Sequence, residues 1–293
     1  MAKKRFLILG ASGRTGFEVL RQAAAQADLY TVAAIHSPAK KSIVEPYANE
    51  VICLDYDQPG ALLPALENID VCYMVLPRHD HEITHANAII EAAVQASIGH
   101  IIYLSALTLA GDTGAAAQTK IQIQHQIEQS GLNYTFLRPT FFMQRVLYLP
   151  FEKDRNRVRI FATVGEGRVP FIDTGDIAKA AIISINNPKL HRQGINLTGD
   201  YALSMAEVTR LLSRYLNKNV IYIDEPEENF SKRLIAEGYS DLRVEKQLET
   251  FRLWRANQHS DVCTDFYEAT GQKKTDFKGF VERELSQIRR IYG

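Results

Sequence analysis

Glycines 10, 13 and 16 recur at three-residue intervals in Gly10-Ala11-Ser12-Gly13-Arg14-Thr15-Gly16, directly after the apolar run Phe6-Leu7-Ile8-Leu9. The run reads as a strand, and Phe17, Leu20 and Ala24 mark the apolar face of a helix that follows. Glycines let the backbone turn sharply and approach a diphosphate, while the free N–H groups of the new helix face its negative charge. The spacing alone is weak, since a plain strand–turn–helix corner can carry it. Its position after the first strand and at the head of a helix supplies the context the motif requires. A dinucleotide's pyrophosphate is the expected ligand, held by Gly10, Ser12, Gly13, Arg14, Thr15 and Gly16.

In NAD-preferring sites a carboxylate about 20 residues past the glycines binds the ribose 2′-OH. Here that position falls at His36-Ser37, with Lys40 and Lys41 close behind and no acidic residue. Hydroxyl, imidazole and ammonium groups suit a 2′-phosphate better. The expectation is NADP, with NAD as the alternative and solvated loop lysines as the bland reading. Asp55 ends the third strand and is placed to border the adenine edge. Leu76-Pro77 ends the fourth strand, Ser105 the fifth, and Pro139 with Thr140 the sixth. Asp55, Leu76, Pro77, Pro139 and Thr140 are assigned to the cofactor and Ser105, with Lys120, to catalysis, because the carboxyl ends of parallel strands are where such a sheet puts its ligand.

Lys120 shares a helix face with Ala116, Ile123 and Ile127, all within roughly 60° at about 100° per residue. An ammonium on a core-facing stripe costs energy unless it finds acceptors. Ribose hydroxyls at the sheet's edge would serve, and a lysine reaching past the apolar face to water is the bland alternative. Ser105 has no adjacent base and is no nucleophile; it would hydrogen-bond substrate or the nicotinamide amide. His81-Glu82-Ile83-Thr84-His85 matches the H-E-x-x-H zinc signature. Yet Ile83, Ala86, Ile90 and Val94 define the packing stripe, and both histidines then fall about 160–200° away, facing solvent. No metal is expected. His79 is assigned to the cleft, whereas His100 and His125 have no catalytic partner.

These residues need a scaffold. Apolar runs at 4–9, 30–36, 50–54, 70–76, 100–104 and 134–138 alternate with helical patterns near 14–27, 58–67, 82–97 and 118–130. The alternation implies an α/β, Rossmann-type doubly wound parallel sheet. After residue 140 the rhythm changes. Arg157 to Thr163 and Arg168 to Ile172 read as short strands around a Gly165-Glu166-Gly167 turn, then helix dominates from Tyr201. The expected organisation is a dinucleotide-binding domain over 1–140 with returning elements at 173–198. A smaller, mainly helical substrate region would comprise 141–172 and 199–293.

The totals exclude several classes. In 293 residues, Lys+Arg and Asp+Glu are 34 each, so net charge is zero and the basic footprint of a nucleic-acid binder is absent. No apolar run approaches the roughly 18 residues of a membrane span. Cys53, Cys72 and Cys263 lack C-x-x-C spacing, and the first two sit in apolar runs as small hydrophobes. A reduced, cytoplasmic protein without disulfides is expected, as monomer or homodimer.

The glycine turn, Ile102-Tyr103-Leu104-Ser105-Ala106, Ser130 to Pro139, Val169-Pro170-Phe171-Ile172 with Asp176-Ile177-Ala178, and Leu197-Thr198-Gly199 together resemble the NmrA-like branch of the atypical short-chain dehydrogenases/reductases. That branch includes quinone, azo and triphenylmethane reductases as well as redox-sensing regulators. Typical superfamily members pair Ser with Tyr-x-x-x-Lys, the tyrosine transferring a proton and the lysine holding the nicotinamide ribose. Lys120 would be that lysine, but Ala116 stands where the tyrosine should be. The resemblance implies an NAD(P)H-dependent oxidoreductase acting on a conjugated electrophile such as a quinone, azo compound or iminium, whose reduction does not require a dedicated tyrosine. Substrate would lie against His79, Phe141, Phe142 and Tyr148. The alternative is a non-catalytic NAD(P)-binding redox sensor that works through a protein partner. Sugar epimerases and dehydratases depend on the missing tyrosine and are disfavoured.

Overall fold

A computed structural model describes residues 2–77, 81–108, 112 and 114–293. The chain divides into two units, Met1–Pro139 with Thr174–Leu197 and Asp265–Gln272, and Thr140–Asp173 with Thr198–Thr264 and Lys273–Gly293.

The first unit alternates strand and helix. Its elements are β1 (Lys4–Ile8), α1 (Arg14–Ala23), β2 (Leu29–Ile35), α2 (Lys41–Val44), β3 (Glu50–Cys53), α3 (Leu62–Leu66), β4 (Val71–Met74), α4 (Glu82–Gln95), β5 (His100–Leu104), α5 (Ala115–Gln129), β6 (Tyr134–Pro139) and α6 (Thr174–Asn186). A last strand, Gln193–Leu197, and a short helix, Asp265–Thr270, complete it. The seven strands run in the order Gln193–Leu197, β6, β5, β4, β1, β2, β3, every neighbouring pair parallel. Chain order reverses between β1 and β4, the switch point of a doubly wound sheet. Side chains alternate across the pleat. Leu7, Val32, Cys72 and Ile101 face the apolar sides of α3, α4 and α5 in one cluster. Phe6 and Ile8, equally buried, point to the other face. Both faces are covered, so these strands are apolar throughout rather than alternating.

The expected strands and helices of this unit are present, with ends differing by a few residues. The unit also takes in Asp265–Thr270, which periodicity does not announce. Its Asp265 carboxylate accepts the Asn196 N–H at 2.9 Å, tying that helix to the last strand. Cys72 is buried, and burial pushes its thiol up to about 12. Cys53, expected inside, is exposed at the end of β3.

The second unit has its own core around Trp254, Phe171, Phe230, Phe251, Phe277 and Phe280, all at most 2% exposed. Strand Arg157–Ala162 pairs antiparallel with Phe151–Lys153 and parallel with Asn219–Asp224. Of the two short strands expected around Gly165, the first is Arg157–Ala162 and the second is only Arg168–Val169, which pairs with Leu203–Ser204. Helices Met205–Leu216, Glu227–Ala236 and Asp241–Arg255 make the unit largely helical. The first of these opens on a capping box of Ser204 and Glu207 and ends on Asn217 in the left-handed region. Among the described residues no helix is long and apolar enough to cross a membrane.

Candidate functional site

The glycine turn lies at the switch point. Gly10 has φ +62°, a left-handed backbone that glycine adopts without penalty. The turn is pinned on both sides: Leu9 N–H donates to Tyr73 O at 3.0 Å and Ala11 N–H to Ala34 O at 3.0 Å. A Cβ on Gly16 would stand 2.2 Å from Gly10 O, and one on Gly13 would stand 3.1 Å from the same atom. No side chain fits where the helix crosses the turn. Gly13 is the N-cap of α1 and has no side chain with which to cap it, and the first helical turn carries no acid. Bare amide hydrogens at a positive helix end are what a diphosphate requires. Behind the turn, burial pushes the Tyr56 phenol above its usual range, opposed by a hydrogen bond from the Gly10 backbone.

Ser12 is half-buried, Arg14 exposed and Thr15 buried. At the end of β2, His36 is exposed, and its Nδ1 lies 4.0 Å from Asp55 Oδ1 beyond β3. Ser37 is half-buried and precedes a 3₁₀ turn, Pro38–Lys40, without a side-chain hydrogen bond to it, and Lys40 is exposed. Leu76 is buried and Pro77 exposed after β4, while Ser105 is 4% exposed after β5. These positions follow five adjacent strands and share one edge of the sheet. Pro139 ends β6, where its carbonyl accepts Leu107 N–H at 2.9 Å.

Lys120 is 6% exposed and donates to Glu82, whose Oε1 stands 2.6 Å from Nζ. Lys120 also donates to Tyr103 OH at 3.3 Å. Beside them Gln124 Nε2 donates to Ser105 Oγ at 2.9 Å, and Gln124 Oε1 accepts from Arg138 Nε at 2.9 Å and NH2 at 2.6 Å. The guanidinium thereby fixes the amide's orientation, and the amide in turn makes Ser105 an acceptor from Gln124, leaving its own proton for another group. Ala116 stands one turn before Lys120, half-buried and without a proton to give.

Neither spacing nor periodicity singles out Glu82, Tyr103, Gln124 or Arg138 as site residues. The H-E-x-x-H stretch contains Glu82, but the angular count leaves Glu82 and His85 outside the packing stripe. Helix α4 buries Glu82, His85, Ala86, Ile89, Ile90, Ala92 and Ala93, so Ala86 and Ile90 of the expected stripe are inside, whereas Ile83 is only half-buried and Val94 is 44% exposed. Contrary to the expected solvent-facing pair, His85 is 6% exposed and its Nε2 lies 2.7 Å from Asp57 Oδ1. Polar residues with partners can occupy a buried stripe, which hydrophobicity alone does not reveal. His81, the N-cap of α4, is exposed as expected. Among the described residues no three His, Cys, Asp or Glu side chains are grouped to hold a metal.

The remaining candidates belong to the second unit. Thr140 Oγ1 donates to Pro170 O at 2.6 Å. Phe141 packs on Trp254 with ring centroids 5.0 Å apart, Phe142 bridges to Ile172, and Tyr148 is 48% exposed. His79 lies outside the described residues.

Comparison with known proteins agrees with this architecture. The chain is 27% identical over 283 residues to the NAD(P)H azoreductase of Xenophilus azovorans, covering 94% of this chain and 96% of that protein. It superposes on the NADPH-dependent quinone oxidoreductase QOR2 of Escherichia coli, complexed with NADPH, with a TM-score of 0.81 at 20% identity, covering 96% and 99% of the two chains. The Citrobacter sp. triphenylmethane reductase complexed with NADP(H) gives a TM-score of 0.78 at 19% identity, covering 95% and 99%. The NmrA-like family model matches residues 2–279, so the chain belongs to the NmrA-like family.

Proposed function

We propose that this chain is an NAD(P)H-dependent oxidoreductase that reduces a conjugated electrophile such as a quinone, azo compound or iminium. The observation that carries the reading is the cradle at the switch point, closed to any side chain at Gly16 and lined by uncapped helix amides. The names of the relatives, azoreductase, quinone oxidoreductase and triphenylmethane reductase, support the same class of reaction. Bound, a reduced nicotinamide supplies the hydride.

The chain's own residues have distinct tasks in this reading. The first-turn amides of α1, over Arg14 to Gly16, bind the diphosphate together with Ser12 and the Arg14 side chain, while Gly10 and Gly13 shape the turn, the Gly13 N–H being donated to Gly10 O. His36, Ser37 and Lys40 read the adenosine ribose and favour a 2′-phosphate, hence NADP over NAD. Asp55, Leu76, Pro77, Pro139 and Thr140 border the rest of the cofactor. Lys120 offers charge-assisted hydrogen bonds to the nicotinamide ribose, and Ser105 offers its hydroxyl proton to a carbonyl. With Ala116 in place of a tyrosine, the reading requires acceptors that delocalise charge or take their proton from water.

Oxidation of NADPH and NADH, followed at 340 nm against a panel of quinones, azo dyes and iminium compounds, tests this. Turnover with at least one acceptor, lost in Gly13→Asp, is the expected result. Tight cofactor binding with no turnover on any of them would replace it with the other reading that Ala116 permits, a redox sensor working through a protein partner.

A further inference from the structure

The zinc-like stretch contains a carboxylate that no metal explains. Glu82 is 5% exposed, opens α4, and meets Lys120 of α5 at 2.6 Å, while Tyr103 of β5 stands 3.3 Å from the same ammonium. The Tyr103 ring centre is 5.3 Å from Nζ, so three elements enclose it. A lysine on a helix face ordinarily extends its charge to water. Holding that charge inside does little for stability, because apolar side chains of similar volume in place of a buried ion pair are often as good or better. What the pair provides is a cation of fixed position, next to the strand ends where Ser105 and the glycine turn lie.

We propose that Glu82 is a positioning residue for the cofactor: it fixes the Lys120 ammonium, oriented and charged, for the hydroxyls of the nicotinamide ribose. This rests on the cofactor reading above. Glu82 acts through the lysine rather than on the ligand.

Calorimetric titration of NADPH into full-length wild type, Glu82→Gln, Lys120→Met and the Glu82→Gln/Lys120→Met double variant forms a double-mutant cycle, each protein held well below its Tm. Glu82→Gln should bind NADPH about tenfold more weakly. In the Lys120→Met background the same change should cost less than about twofold. Glu82→Asp, which keeps the charge, should stay within about threefold of wild type. Wild-type affinity in folded Glu82→Gln, a full loss that persists without Lys120, or a Glu82→Asp protein as weak as Glu82→Gln would each overturn the assignment. Should Glu82→Gln not fold, Glu82→Leu/Lys120→Met removes both charges together. Its NADPH affinity should lie within about twofold of that of Lys120→Met, and a larger further loss overturns the assignment. If wild type itself binds neither NADPH nor NADH, it is the cofactor reading that fails, a result distinct from any of these.

Discussion

Gly16→Ala bears most directly on the cradle. A Cβ at this position would lie 2.2 Å from Gly10 O, 2.8 Å from Gly10 C and 3.1 Å from Ala11 Cα. Real Cβ atoms essentially never approach within 3.0 Å, and all three obstacles are backbone, so main chain must move by about 0.8 Å. The turn cannot drift freely, because hydrogen bonds from Leu9 and Ala11 tie it to β4 and β2. Overpacking typically costs about 1–3 kcal/mol, and a clash of backbone against backbone belongs at the upper end. About 3 kcal/mol lowers the Tm of a domain this size by about 6–12 °C. Displaced amides also lose contact with an ionised phosphate, and each hydrogen bond to a charged group is worth about 1.5–3 kcal/mol, or about 10- to 150-fold in affinity. Thermal unfolding and NADPH calorimetry read the two effects separately. Gly13→Ala, whose Cβ would meet Gly10 O at 3.1 Å, should fall between Gly16→Ala and wild type. Gly60→Ala, with nothing within 4 Å, is the control. A Gly16→Ala protein with wild-type Tm and wild-type affinity would refute the packing of the turn and with it the cradle.

Other outcomes follow from the same structure. His36→Asp should shift cofactor preference toward NADH, read as the ratio of NADPH to NADH affinities, and an unchanged ratio removes the argument from the second strand. Lys120→Ala leaves the buried Glu82 carboxylate without its ammonium and should cost about 3–5 kcal/mol in urea unfolding; a loss under about 1 kcal/mol would mean that the pair is open to water. His100, at the start of β5, is held neutral by burial, helped by His191 and Lys4, with its pKa lowered to about 3. Its Nε2 lies 3.0 Å from Thr135 Oγ1, whose proton goes to Leu190 O. Above about pH 6.5 neither state binds the proton, and as pH falls toward 3 only the unfolded chain does, so stability should drop by about 1.4 kcal/mol per unit. His100→Gln should flatten that slope between pH 6.5 and 5, and an unchanged slope would assign it to other groups.

The sequence by itself determined the sheet and its chain reversal, because apolar runs of strand length alternating with helix-period segments leave few ways to bury both. It determined the cradle as well: Gly10, Gly13 and Gly16 are local, and their spacing carries the geometry that Gly10 O enforces. Lys120 on a core-facing stripe was legible from angle alone. What the tertiary structure decided is the company each polar group keeps. Glu82 lies 38 positions before Lys120 and Gln124 lies 19 after Ser105, separations that only packed helices and strand order close. Periodicity finds Ala86 and Ile90 on the buried stripe of α4 but not Glu82 and His85, which are buried by partners on α5 and beyond β3 rather than by their own hydrophobicity. Pairing of Arg168–Val169 with Leu203–Ser204, and the return of Asp265–Thr270 to the first unit, depend likewise on contacts between distant segments, which local periodicity does not encode.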